Sequence, residues 1–232
     1  MSLTYTTFVS SLANMLVIPD YAADANYQAV IPNIIDDAEQ RIYRDLDLLT
    51  TIIKDTTGKL TPSNRAFALP QHFITTEAIN IFVETHRWPL VPVSKEFLDA
   101  VYPEDAPWTI PSVPQYYAMF TDQSILVGPC PDADYTMEVI GTIRPTPLSA
   151  ANTTTYLTLY LPDLFLAAAC VYGAGYQQNF SAMGDNPRQA LSWEAHYNTL
   201  LQSANIEENR KKYASQAWTS KQPAPLATPP RV

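Results

Sequence analysis

The sequence predicts an α+β fold, in which helices from the two ends of the chain form one bundle around an inserted β-rich unit. Apolar residues recur every three or four positions in residues 1–49 and 148–213, which is typical of amphipathic helices. Residues 50–147 instead contain short alternating apolar and polar runs divided by prolines, which favours strands. Residues 214–232 are rich in proline and have no regular period, so we predict an extended C-terminal arm.

Two helices are predicted in the N-terminal segment. The first spans residues 3–16, and the following Pro19 cannot continue it. The second runs from about residue 24 to residue 48, and Pro32 is expected to divide or kink it because proline lacks the N–H that a helix interior needs. After that proline an apolar stripe predicts a face packed against other elements, at Ile34, Ile35, Ala38, Ile42 and Leu46.

The central segment is predicted to form short strands joined by stiff loops. The clearest strand spans Tyr135–Ile143, where apolar residues alternate with threonines and a glutamate. A hairpin is predicted over residues 116–127, and Ser94 is expected to cap a short helix over residues 95–102. His86–Trp88 is interpreted as a loop with a packed tryptophan. Further strands are predicted at residues 51–54, 65–69 and 77–84.

Two more helices are predicted after a polar loop at residues 149–155. Pro162–Gln178 is apolar almost all round, which indicates a helix that neighbours cover on most sides. Asn186 is a good N-cap and Pro187 suits a first turn, so a long helix is predicted to begin there. Its apolar stripe fades from Glu207 onward and consists of Ala190, Trp193, Tyr197, Leu200 and Ala204.

Charge is distributed unevenly along the chain. The net charge is −9, yet beyond Glu208 there is no acidic residue and there are five basic ones, so the preceding residues carry −14. An acidic body disfavours non-specific binding to nucleic acid. A basic terminus on such a body can bind an acidic partner or an adjacent copy of the chain, and the alternative is a solvated tail. The five basic residues are Arg210, Lys211, Lys212, Lys221 and Arg231.

No pattern in the sequence predicts catalysis, a metal centre or a cofactor. His72, His86 and His196 are far apart, and none has a neighbour at metal-ligand spacing. Cys130 and Cys170 are too few for a disulfide framework or a zinc site, and Cys170 is expected to be a buried thiol. There is no glycine-rich phosphate loop, no nucleophile elbow and no apolar run of about 20 residues. We therefore expect no cofactor, no enzymatic activity and no membrane partner.

Several stretches of the sequence follow one another in a characteristic order. They are Pro32 with Ile34–Asp47, the Thr57–Gly58 turn, Ala68–Pro70, Ile125–Pro131 followed by Tyr135–Val139, Tyr160–Asp163 opening an alanine-rich helix, and Trp193, Glu194 and Tyr197. In this order they resemble head-to-tail adaptor (connector) proteins of tailed bacteriophages, in particular the adaptors of short-tailed phages. The resemblance covers roughly residues 24–213.

The resemblance implies a structural virion protein of the neck, between capsid portal and tail, assembled in the host cytoplasm. Such adaptors form a ring, usually of twelve copies, below the portal. They extend the channel through which genomic DNA passes without sequence-specific binding, and they provide the docking platform for a tail or nozzle protein. In several adaptors the C-terminal segment reaches the portal, which implies portal-docking roles here for Arg210, Lys211, Lys212, Trp218, Lys221, Pro223, Pro225 and Leu226.

Three other functions stay open from the residues alone. A tail-completion or terminator protein of the same assembly class would bind the tail tube instead of the portal. A host-binding module is suggested by the tyrosine-rich β segment with Trp88 and Trp108. A hydrolase acting on the host envelope could assemble its site from distant residues, although the scarcity of histidine and the lack of a nucleophile motif disfavour it.

Overall fold

The computed structural model describes residues 3–18, 20–103, 110–178 and 187–215, which divide into two compact units. The first unit is helical and combines the residues up to Thr50 with those from Pro145 onward. The second unit is β-rich and spans Thr51–Arg144. The predicted α+β fold, with N-terminal helices, a β-rich middle and C-terminal helices, is confirmed.

The described residues contain six α-helices and nine strands. The bounds predicted for the helix at residues 162–178 agree at both ends, and the long helix begins at the predicted proline. In chain order the elements are α1 (Tyr5–Met15), α2 (Ala25–Asp45), a 3₁₀ turn (Leu49–Thr51), β1 (Ile52–Asp55), β2 (Lys59–Leu60), β3 (Ala66–Ala68), β4 (Phe73–Val83), β5 (His86–Pro89), β6 (Val91–Pro92), α3 (Lys95–Val101), β7 (Tyr116–Thr121), β8 (Ser124–Gly128), β9 (Tyr135–Ile143), α4 (Tyr156–Tyr160), α5 (Pro162–Gln178) and α6 (Pro187–Ser215).

Side-chain caps explain where the first two helices begin. At α1, Thr4 and Thr7 form a reciprocal capping box in which each backbone N–H donates to the hydroxyl of the other residue. At α2, Asp24 Oδ1 accepts hydrogen bonds from the backbone N–H groups of Asn26 and Tyr27. These donors have no partner inside the helix, and a cap of this kind is typically worth about 1 kcal/mol.

One apolar core fills the helical unit, and α5 supplies buried residues on most of its sides, as its sequence predicts. Phe165 of α5 stacks on Phe8 of α1, with 4.3 Å between the ring centroids. Cys170 is a buried thiol, as expected, and burial raises its pKa to about 12, so it stays protonated at neutral pH. The predicted α2 stripe is buried along its whole length, at Ile34, Ile35, Ala38, Ile42 and Leu46.

Of the two effects predicted for Pro32, division of the helix is wrong, because α2 is one helix that includes this proline, and a kink stays a prediction. An internal proline costs about 3 kcal/mol through a lost hydrogen bond and a crowded preceding turn. Tyr27 and Ile31 on one side and Ile34 and Ile35 on the other are all buried in the same core. Burying each large apolar side chain contributes about 1.5–3 kcal/mol, so core packing outweighs the local cost of the proline.

Two sheets with a shared apolar core form the β-rich unit. The first sheet has the order β1-β9-β4-β5, with β2 also pairing with β9, and all its pairs are antiparallel. The second has the order β3-β8-β7-β6, in which β7 and β8 form the predicted hairpin and β6 runs parallel to β7. Ser94 caps α3 as predicted, since its Oγ accepts the Phe97 N–H. The buried residues of this core include Leu60, Phe67, Ile79, Ile81, Ile125, Tyr135 and Met137.

The interpretation of His86–Trp88 as a loop is wrong. These residues lie in β5, which pairs with β4, and Trp88 is 55% exposed rather than packed. Strand β4 also starts at Phe73, four residues before the predicted start. Both differences arise from strand pairing, because β5 forms on the end of β4 and ladder hydrogen bonds to β9 extend β4 through the polar run Thr75–Glu77, which shows no alternation in the sequence.

The C-terminal helices differ from the prediction at three places. The polar loop ends at Thr155, which forms a capping box with Thr158 and starts α4, a short helix that the sequence did not predict. Helix α6 continues to Ser215, just past the predicted start of the arm at residue 214. Glu208 is only 3% exposed, although the apolar stripe was predicted to fade before it.

A buried carboxylate joins the two chain segments of the helical unit. Glu39 of α2 is 2% exposed, and the Leu148 N–H donates to both of its oxygens, at 3.3 and 3.2 Å. Burial raises the pKa of Glu39 to about 7, and nearby Asp36 adds to the rise, while hydrogen bonds from Leu148 and the Thr155 side chain oppose it. The folded state therefore favours the protonated carboxyl.

Stability should fall with rising pH because of Glu39. The pKa in the folded state lies above the ordinary value of 4.5, so the stabilisation is full below pH 4.5 and lost as pH rises to about 7. Glu39→Gln should remove this pH dependence and raise the free energy of unfolding at pH 8 by up to roughly 3 kcal/mol. Denaturant unfolding between pH 4 and pH 8 measures the free energy of unfolding of each chain. Asp37→Asn, at an exposed acid of the same helix, is the control, and parallel profiles for all three chains would contradict the assignment.

Candidate docking site

The residues implicated in docking by the sequence fall into two groups. Arg210, Lys211 and Lys212 lie in the last turns of α6. The others lie outside the described residues, and they are Trp218, Lys221, Pro223, Pro225 and Leu226. The geometry at the end of α6 therefore decides what the first three cations do.

Lys211 is held by groups of its own chain. Its Nζ lies 2.8 Å from Glu207 Oε1 and 2.7 Å from Glu208 Oε1, and it donates to the Tyr156 hydroxyl at 2.8 Å. The Tyr156 hydroxyl in turn donates to Glu208 Oε1 at 3.0 Å. Glu208 is buried, so this network satisfies a carboxylate that water does not reach. It also ties α6 to α4.

The electrostatics of this cluster favour the charged lysine. Burial by itself would lower the pKa of Lys211, but the hydrogen bonds that its ammonium group donates to Glu207, Glu208 and Tyr156 outweigh burial and raise the pKa above the ordinary value. Burial also raises the pKa of Tyr156, so the phenol stays neutral and can donate to the carboxylate. Lys211 therefore serves as a permanent positive charge opposite two acids.

The neighbouring cations differ from Lys211 and from each other. Lys212 makes a close ion pair with Asp47, which lies just after α2, and its side chain is largely buried. Arg210 is exposed to solvent. The structure thus engages Lys211 and Lys212 inside the helical unit and presents the Arg210 side chain at the surface.

A second polar cluster fixes the middle of α6. Arg41 of α2 donates to both oxygens of Glu194, at 2.8 and 2.5 Å, and its guanidinium lies 4.1 Å from the Tyr197 ring centroid. The Tyr197 hydroxyl donates to Asp45 Oδ2 at 2.7 Å. The bidentate bond to Arg41 lowers the pKa of Glu194 and raises that of Arg41, so both stay ionised.

A groove of about 580 Å³ lies beside the Lys211 cluster. One wall carries Tyr156 and Tyr160, whose rings lie 4.8 Å apart at an interplanar angle of 33°. Tyr160 is 64% exposed, and Glu207 on the other wall has about half of its side chain exposed. The groove therefore combines a tyrosine surface with an accessible carboxylate. Its remaining lining is formed by Leu49, Thr50, Glu208 and Lys211.

Tyr156, Tyr160 and Glu208 were not predicted as residues of the docking site. Two spacings in the sequence indicate side chains that are neighbours on a helix. Tyr156 and Tyr160 are four residues apart, and Glu208 lies three residues before Lys211. Such spacings are common on exposed helix faces. Only the packing of α4 beside the end of α6 brings the two pairs together.

Two of the three histidines contact side chains of their own unit. His72 lies 3.4 Å from Asp55, and exposed His196 stands edge-on to Trp193. No group of three or more His, Cys, Asp or Glu residues that could hold a metal ion occurs in residues 3–18, 20–103, 110–178 and 187–215. None of the described helices is long and apolar enough to span a bilayer.

The β-rich unit contains one buried acid that its own strands neutralise. Glu138 of β9 is 2% exposed and accepts a hydrogen bond from Asn80 Nδ2 at 2.9 Å. Lys54 and Arg87 approach its two oxygens to 3.3 and 2.5 Å. This carboxylate has its partners, so it serves the sheet and is not a candidate binding group.

Comparison with known proteins gives one family. A sequence model described as the SU10 adaptor protein matches residues 3–226. No curated protein sequence matches the chain. The matched range covers both structural units and continues into the arm as far as Leu226.

The Lys211 cluster predicts different effects for adjacent cations. Lys211→Met should lower the free energy of unfolding by about 2 kcal/mol, because it leaves buried Glu208 without its counter-charge while the partial exposure of Lys211 softens the loss. Arg210→Met, the matched exposed control, should change it by less than about 0.5 kcal/mol. Denaturant unfolding measures both.

A double variant separates charge from packing at this cluster. Adding Glu208→Gln to Lys211→Met should recover part of the lost stability, because no buried charge then lacks a partner. Equal effects of Lys211→Met and Arg210→Met would contradict the structural role given to Lys211.

Proposed function

The chain belongs to the SU10 adaptor protein family, and we propose that it forms a ring below the portal in the neck of a bacteriophage virion. In that position it would extend the DNA channel and provide the platform on which the tail or nozzle protein docks. The single observation that carries the proposal is the family match across residues 3–226, which includes both units and most of the arm. A ring of twelve copies is the number that the resemblance implies.

Charge supports the proposed passage of DNA through the ring. The chain has a net charge of −9, and the residues up to 209 carry −14. A channel wall with an excess of carboxylates repels the phosphate backbone and lets DNA slide without being held. Sequence-specific contact with the genome is not part of the proposed function.

The proposed portal contact uses the arm more than the end of α6. Lys211 and Lys212 are engaged with Glu207, Glu208 and Asp47, so their proposed contribution is to fix the point from which the arm leaves. Exposed Arg210 is the basic side chain of this group best placed to meet a partner. Within the arm, Trp218 is the proposed anchor because tryptophan is enriched among interface residues with large effects. The other arm residues that we propose to contact the portal are Lys221, Pro223, Pro225 and Leu226.

Removal of residues 216–232 should abolish assembly on the portal and leave the helical unit folded. The expected result is an unchanged helical circular-dichroism spectrum together with loss of co-sedimentation with purified portal. Trp218→Ala in the full chain should weaken portal binding about 30-fold or more, which corresponds to about 2 kcal/mol. Trp88→Ala, at an exposed tryptophan of the β-rich unit, is the matched control.

The ring itself is tested by electron microscopy of the full chain mixed with portal. A stacked ring on the portal is the expected image. Portal binding by the truncated chain as strong as that of the full chain would refute the role of the arm. Co-purification with the tail tube in place of the portal would favour a tail-completion protein over an adaptor.

A further inference from the structure

We propose that the groove between α4 and the end of α6 binds the proline-rich residues 216–232 of a second copy of the chain. The groove is lined by Tyr156, Tyr160 and Glu207, among others. This contact rests on the proposed ring and deepens it, because Pro229, Pro230 and Arg231, which the proposed portal contact does not use, then have a receptor on the neighbouring adaptor.

The tyrosine wall suits a proline-rich ligand. Proline-rich segments adopt an extended polyproline II helix and dock on aromatic-lined grooves, where flat rings pack against the pyrrolidine faces. Tyr156 and Tyr160 supply two neighbouring rings, and most of the Tyr160 ring is open to solvent. Leu49 adds an apolar surface to the same groove. A pair of neighbouring rings, with Tyr156 partly buried and Tyr160 exposed, is thereby matched to a definite ligand chemistry.

Charge on the two surfaces is complementary. Residues 216–232 contain Lys221 and Arg231 and no acidic residue. The groove contains Glu207 and Glu208 against the single cation Lys211, and the Glu207 side chain is half exposed. A basic residue that flanks the prolines can therefore meet Glu207 at the rim. A contact of this kind fixes direction and register more than affinity.

The position at which the arm starts favours a second copy as its source. Helix α6 runs from Glu207 past Lys211 to Ser215, so the chain leaves the helix pointing away from its own groove. The first arm proline, Pro223, comes eight residues after Ser215, a span of about 25 Å in a polyproline II conformation. A neighbouring copy can receive the prolines without a reversal of the chain. Binding in the same copy requires the chain to reverse direction within these eight residues.

Isotope-resolved photo-crosslinking of the full chain tests the proposal. Thr50 lines the groove and is exposed, so benzoylphenylalanine at position 50 leaves both tyrosines intact. Unlabelled and ¹⁵N-labelled chains are mixed, assembled on portal and irradiated. We expect cross-links from position 50 to peptides of residues 216–232 that carry the other isotope label. Benzoylphenylalanine at Leu191, an exposed residue elsewhere on α6, should give no cross-link to the arm.

Each result of this experiment has a definite meaning. Cross-links confined to a single isotope label show that the arm folds back on its own copy, and they overturn the proposal. Absence of cross-links to residues 216–232 overturns it as well. Images of the same samples report the ring separately: a ring without the cross-link refutes the groove contact alone, and a missing ring refutes the proposed function.

Substitution of the exposed tyrosine gives an independent measurement. A fluorescent peptide with the sequence of residues 216–232 should bind the full chain, and a scrambled peptide of the same composition should not. Tyr160→Ala should weaken binding of the peptide about tenfold or more, whereas Tyr160→Phe, which keeps the ring, should stay within about threefold. Thermal unfolding confirms that both variants fold. Equal peptide affinity of the Ala and Phe variants would exclude Tyr160 as the contact.

Discussion

Helix α5 has to be buried on most of its sides, and the rest of the helical unit follows from that constraint. Phe165, Ala168 and Cys170 are fully buried, so the helix needs covering layers that a single neighbour cannot provide. Residues before Thr50 supply α1 and α2, and residues after Pro145 supply α4 and α6. Because the cover comes from both ends of the chain, the β-rich segment between them is an insertion into one helical fold.

Helix α6 depends on polar contacts more than its neighbours do. Among its described side chains, Tyr197, Ala204 and Glu208 are buried, and the rest of its surface is largely polar. Exposed ion pairs contribute little, typically 0–1 kcal/mol, but a pair with one buried member is costly to break. The bonds of Arg41 to Glu194, and of the Tyr156 hydroxyl to Glu208 and Lys211, therefore link α6 to α2 and to α4. That position fixes the site from which the arm leaves.

The sequence predicted features that local chemistry decides, and it missed those that depend on packing between distant segments. The bounds of α5, the Ser94 cap and the hairpin of β7 and β8 each follow from residues close together in the chain. Continuity of α2 through Pro32 depends on a core assembled from four other helices. The burial of Glu208 depends on Tyr156, which lies 52 residues away in sequence. In the candidate site, the cations could therefore be predicted from the sequence, but the acids of the same unit that pair with them could not.

The internal pairing of Lys211 and Lys212 changes how the basic C-terminal segment is expected to bind a partner. Lys211 and Lys212 are paired with acids of their own unit, so among the described cations beyond Glu208 the exposed Arg210 can meet another molecule, while Lys221 and Arg231 lie outside the described residues. In sequence these three cations are spread over twenty-two positions, so we expect them to provide weak steering in physiological salt, where screening acts over about 8 Å. In the proposed portal contact we therefore expect affinity to come mainly from Trp218 and the prolines, because apolar contacts are insensitive to moderate salt. Attachment of the arm should therefore persist at ionic strengths that dissociate a purely electrostatic contact.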